Sequence, residues 1–115
     1  MSEETIFSKI IRKEISAEIV FESGAVIAFK DINPQAPTHI LIVPKKSLRD
    51  LTSVSRADTE LLGEMLLAAG EIARSQGLER EGFRLVINNG KRAGQEVLHL
   101  HMHLLGGRDF TWPPG

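Results

Sequence analysis

Apolar residues recur along this chain with two different periods. Ile6, Phe7, Ile10 and Ile11 are spaced as on one face of a helix, which predicts a short helix over residues 5–13 with Thr5 or Ser2 as its N-terminal cap. Ile19-Val20-Phe21-Glu22 reads as a strand. Glu22-Ser23-Gly24 supplies a turn, and Val26-Ile27-Ala28-Phe29-Lys30 pairs back as the second arm of a hairpin. Asp31 to Pro37 holds two prolines and reads as a loop. Thr38-His39-Ile40-Leu41-Ile42-Val43 is almost wholly apolar and β-branched, as expected of a central strand covered on both faces, and Pro44 ends it.

The clearest helical period runs from Arg56 to Ser75. Leu61, Leu62, Met65, Leu66, Ala69, Ile72 and Ala73 form its apolar stripe, Ser55 and Asp58 its capping pair, and Gly77 its stop. Phe83 to Ile87 is a further strand. The turn-rich loop Asn88 to Gln95 leads into a last strand over Val97 to Leu105, which Gly106-Gly107 terminates. The tail closes on Trp112-Pro113-Pro114-Gly115 and cannot be helical. A Trp with no apolar neighbour in sequence needs a pocket, from its own domain or from a second subunit. The pattern predicts a single α+β domain over residues 1–115: about five mostly antiparallel strands, one long helix and one short one.

Composition narrows the classes. Hydrophobic residues make up 42% of the 115 positions and charged residues 25%, values of an ordinary globular chain. Lys plus Arg number 14 and Asp plus Glu 15, for a net charge of -1, which argues against a nucleic-acid backbone or an anionic membrane as the main partner. The absence of cysteine removes disulfide and thiolate chemistry. The acidic start Met1-Ser2-Glu3-Glu4 lacks the features of a signal peptide, and no apolar run approaches the ~20 residues of a membrane span. The expectation is a soluble protein of the cytoplasm.

The candidate chemistry is concentrated at His99-Leu100-His101-Met102-His103. Three of the four histidines lie within five residues, and strand alternation puts them on one face with Leu100, Met102 and Leu104 on the other. A purely structural row would need a dense partner network, because each unpartnered buried imidazole costs roughly 1–3 kcal/mol. A zinc site, with His39 as a fourth ligand, is one alternative. Nucleophilic attack on phosphorus is the other: a neutral ring nitrogen attacks, the second nitrogen is held by an acceptor, and neighbouring imidazoles bind phosphoryl oxygens or deliver a proton. Gly90 and Gly94 in the preceding loop permit close backbone approach to such a group. Lys91 and Arg92 could attract phosphate, although a solvated turn accounts for them as well.

These residues resemble the histidine triad family. His99 to Leu105 matches His-x-His-x-His followed by two hydrophobic residues. Thr5 to Ile11, Asp31 to His39, Gly94-Gln95-Glu96-Val97 and Gly106-Gly107-Arg108 resemble the Hint branch of that family, so the likeness runs along essentially the whole chain. The resemblance implies a purine nucleoside phosphoramidase that uses no metal or other cofactor. Such an enzyme cleaves the P–N bond of adenosine or guanosine 5′-phosphoramidates through a nucleotidyl-histidine. It implies His101 as nucleophile, His99 and His103 as orienting and phosphate-contacting groups, and His39 as the completion of the cluster. Asn88, the Gly94 backbone and Glu96 correspond to phosphate and leaving-group contacts. Asp31 corresponds to the ribose carboxylate, with Ile32 beside it, and Phe7, Ile10, Ile15 and Phe29 to the walls around the base. It further implies a homodimer in which the long helix and the Phe83 strand meet across the two-fold axis and two sheets become one. The tail, about 108–115, then reaches the neighbouring active site and brings Trp112 of the partner subunit to it. Two positions depart from the pattern: Glu96 stands where some members carry a hydroxyl, and Leu98 where an aromatic is common. Dinucleoside polyphosphate hydrolysis, as in the related Fhit branch, and a non-catalytic nucleotide-binding scaffold are the competing functions.

Overall fold

The computed structural model describes residues 4–115. The alternative cap Ser2 and most of the acidic N-terminal stretch lie outside the described residues. Helix α1 spans Ile6–Ile11, and Thr5 caps it: the Thr5 side chain accepts from the Ser8 N–H, and the Ser8 hydroxyl accepts from the Thr5 N–H. Five strands follow in one antiparallel sheet: β1 (Ile19–Glu22), β2 (Val26–Lys30), β3 (Thr38–Pro44), β4 (Phe83–Val86) and β5 (Met102–Gly106). Their order across the sheet is β1-β2-β3-β5-β4. The long helix α2, Thr59–Ser75, joins β3 to β4. No helix among the described residues is long and apolar enough to cross a membrane.

The period-two pattern decides which side chains enter which layer. Val26 and Ala28 of β2, Ile40 and Ile42 of β3, and Met102 and Leu104 of β5 face α2, where Met65, Ala69, Ile72 and Ala73 meet them. Ile27, Phe29, Leu41 and Val43 face the other way and close over Phe7 and Ile10 of α1. The central strand β3 is therefore covered on both faces, as its continuous apolar run predicts. Each large aliphatic side chain buried there contributes about 1.5–3 kcal/mol.

Three features depart from the pattern. The capping pair of Ser55 and Asp58 closes a 3-10 turn, Arg56–Asp58, and the α-helix proper begins at Thr59. Leu66, assigned to the apolar stripe, is 57% exposed because it lies at the stripe's border, rotated away from the sheet. Most relevant to the site, the last strand begins at Met102 rather than at Val97. Before that point the chain leaves the ladder and bonds to the segment after β3: Leu100 N–H donates to Leu48 O at 2.7 Å. The final β3–β5 pair is Ile42 with Met102, two residues before Pro44, which has no N–H to extend a ladder. Side-chain alternation continues regardless, so Leu100 still joins the helix-side core.

Candidate active site

The α1 face of the sheet carries a cleft of about 560 Å³, within the range of small-molecule sites. One wall is apolar: Phe7, Ile10, Ile15 and Phe29. The β2–β3 loop forms the rim through Asp31, Ile32, Asn33 and Gln35, with Ile32 almost fully exposed. The far wall is Asn88, Gly94 and Glu96. The floor is His39, His101 and His103.

Hydrogen bonds fix the ring protons. A carbonyl oxygen only accepts, so His101 carries its proton on Nδ1 and donates it to the His99 carbonyl at 2.7 Å. In the neutral ring the lone pair is then on Nε2. Among the described residues no buried side-chain nitrogen or oxygen lacks a partner, so this Nε2 opens to the cleft. Phe7 stacks edge-on to the same ring at 5.0 Å and limits its rotation. His39 is set from behind: its Nδ1 accepts from the Gln35 N–H at 3.0 Å, which leaves the proton on Nε2. That Nε2 donates to His103 Nδ1 at 2.9 Å, with Asp31 Oδ2 at 3.4 Å as a second acceptor. His103 therefore presents Nε2–H to the cleft. A lone pair on His101 and a donor on His103 stand side by side, ring centres 5.1 Å apart.

The register explains this placement. His103 pairs with Leu41 and His39 with Leu105, on the face opposite Ile40, Met102 and Leu104. Burial pushes the His103 pKa down to about 4, aided by the nearby His101 and His39 and opposed by Asp31. Burial also lowers His39, again against Asp31. Both rings are neutral near pH 7.

His99 occupies a different place from the one its position in the triad suggests. Its ring is 1% exposed, stands behind the cleft wall, and donates Nε2–H to Pro44 O at 2.8 Å. Burial lowers its pKa, against that hydrogen bond. Its contribution to the cleft is its backbone carbonyl, which orients His101. The Gly94 N–H is likewise engaged, bonded to Lys91 O at 3.1 Å, whereas the Asn88 amide on the far wall makes no hydrogen bond among the described residues. Lys91 and Arg92 are exposed and do not line the cleft. Trp112 is 83% exposed and lies outside its own chain's cleft.

Two contributors escape a reading of side-chain pattern. Gln95 is buried in the loop: its Oε1 accepts from Gly90 N–H, and its Nε2 donates to Arg49 O and Val97 O. Nothing in a run of turn residues distinguishes such a Gln from a solvated one. The carbonyls of Pro44 and His99 act through the backbone and leave no side-chain signal. The grouping able to hold a cation is Asp31, His39 and His103, whose ligand atoms lie within 4.8 Å of one another. Both His39 nitrogens are already committed, so a metal there would have to break the tautomer chain.

Comparison with known proteins identifies the family. The HIT domain family matches residues 12–110. The chain is 57% identical to an uncharacterised HIT-like protein of Synechocystis, over 115 residues and the full length of both. It is 52% identical to the purine nucleoside phosphoramidase of Escherichia coli over 108 residues, 94% of this chain and 91% of that one. A HIT family hydrolase from Legionella pneumophila superposes with a TM-score of 0.95 at 50% identity, covering 97% of this chain and all of that one. This chain belongs to the HIT family and, with these relatives, to its hydrolases.

Proposed function

We propose that the protein is a purine nucleoside phosphoramidase acting through a covalent nucleotidyl-His101. The observation that carries this reading is the His101 ring, whose Nδ1–H donates to the His99 carbonyl and whose Nε2 opens to the cleft. A nucleoside fits with its base between Phe7, Ile10, Ile15 and Phe29 and its ribose hydroxyls on Asp31 beside Ile32. The phosphoryl group then meets His101 Nε2, with His103 Nε2–H and Asn88 to bind its oxygens. Nε2 attacks phosphorus, the P–N bond to the amine breaks, and the His99 carbonyl stabilises the charge that develops on the ring. Neutral His103 holds a phosphoryl oxygen through its Nε2–H, and the departing amine takes its proton from water in the open cleft. Water then displaces His101 and releases the nucleoside monophosphate.

The unit of action is a homodimer in which Trp112 of the partner subunit borders the cleft, and no metal takes part. The test is a quenched reaction with an adenosine 5′-phosphoramidate, followed by peptide mass spectrometry. A nucleotidyl adduct on His101 is expected, and an adduct elsewhere would overturn the assignment. Faster turnover of diadenosine triphosphate than of the phosphoramidate would favour the polyphosphate reading instead.

A further inference from the structure

Glu96 is out of keeping with an anion-binding cleft. It is an exposed carboxylate on the wall that also carries Asn88 and Gly94. Among the described residues it makes no hydrogen bond or ion pair. Its orientation follows from its neighbour. Gln95 is turned inward by three hydrogen bonds, at 2.8 Å from Gly90 N–H, 2.9 Å to Arg49 O and 3.1 Å to Val97 O. Glu96 is left facing the cleft.

No fixed cation offsets it. Lys30 is the basic residue lining the cleft, and Glu18 holds its ammonium at 2.7 Å. His39 and His103 are neutral near pH 7 because they are buried. Asp31, the other carboxylate of the cleft, already bonds the Asn33 N–H and faces His39. A phosphoryl anion at His101 therefore meets an unbalanced negative charge on the far wall. That charge is unfavourable for phosphate alone and favourable when the ligand carries its own cation beyond phosphorus.

We propose that Glu96 forms a cation-accepting subsite that selects phosphoramidates whose leaving amine bears a second, ammonium-carrying arm. This rests on the phosphoramidase reading and names the class of amine. The subsite is open to water, so its discrimination is modest, about two- to fivefold, and is screened by salt.

The probes are adenosine 5′-phosphoramidates of diaminopropane and of butylamine, which match in length and differ in terminal charge. Their intrinsic reactivities differ, but that difference cancels when the ratio of their kcat/KM values is compared between proteins. Glu96→Gln is expected to lower the diaminopropane-to-butylamine ratio about two- to fivefold, and Glu96→Lys to lower it further. High salt should lower the wild-type ratio and leave that of Glu96→Gln unmoved. A ratio indifferent to both substitutions and to salt overturns the subsite while leaving the phosphoramidase reading intact. Failure of the wild-type protein to hydrolyse either compound overturns both.

Discussion

An imidazole attacks phosphorus only when the correct nitrogen holds the lone pair, and here a backbone carbonyl makes that choice. The His99 carbonyl removes Nδ1 of His101 from competition, and the neighbouring ring is set by the chain from Gln35 through His39. Replacing His101 with Ala is expected to lower turnover by on the order of a thousandfold or more, while purine nucleotide binding, proposed above to rest on Asp31 and the apolar wall, is expected to persist. Turnover within tenfold of wild type would remove His101 from the nucleophile role. The depressed histidines also set a pH dependence of stability. Folded His103 titrates at about 4, and His39 and His99 are likewise lowered, whereas the unfolded side chains titrate near 6.5. The unfolded chain thus binds more protons below about pH 6.5, so stability is full above that value and is lost as pH falls toward 4. Thermal denaturation should show a Tm that is level above about pH 7 and declines below 6.5, with a shallower decline in His103→Asn. A Tm that holds or rises across that interval would contradict neutral buried rings. The histidine spacing made the cleft-facing pair legible, because alternation survives outside a regular strand. It could not separate His99 from its neighbours, since what distinguishes that ring is the Pro44 carbonyl, 55 residues away in sequence.

At the scale of elements, periodicity carried most of the architecture. Apolar runs located all five strands and both helices, and the capping pair at Ser55 and Asp58 was visible, because these features depend on local chemistry. What periodicity missed depends on distant partners. The histidine strand starts late because residues 95–100 bond to the chain after β3, and the start of α2 tightens into a 3-10 turn where Lys46 reaches the buried Asp58 at 2.6 Å. The loop that orients His39 is held in a similar long-range way. Gly107, just past β5, has φ +92, and a Cβ there would stand 2.8 Å from Pro37 Cβ, two residues from Gln35. Gly107→Ala is expected to cost about 1–3 kcal/mol, from backbone strain plus the contact with Pro37. Gly82→Ala is the matched control: φ is +102, but nothing lies within 4 Å of the added carbon. Chemical denaturation of the two variants separates the contributions. Equal losses would mean that the Pro37 contact adds nothing.

At the scale of the whole molecule, the sheet is open, with β1 at one edge and β4 at the other. β4 is an edge strand and leaves one row of backbone groups unpaired, and Phe83 on it is 39% exposed. On α2, Leu66 is 57% exposed, and Gly63 and Gly70 have open space where a side chain would begin. A leucine flanked by glycines on one helix face allows two such helices to approach closely, and the free edge of β4 allows two sheets to join. In the homodimer proposed above, a second copy of the chain would cover both surfaces through a two-fold axis. The expected outcome in sedimentation equilibrium is a mass about twice 12.7 kDa for the wild-type protein. Leu66→Glu should shift the equilibrium to monomer, because it sets two carboxylates against each other across the axis. Leu66 lies outside the buried face of α2, so far-UV circular dichroism of this variant should match wild type. A monomeric wild-type protein at micromolar concentration, or a dimer indifferent to Leu66→Glu, would assign this face another role. Trp112 supplies an independent readout: exposed on its own chain, it should become protected in the dimer and fluoresce differently in Leu66→Glu if it reaches the partner's cleft.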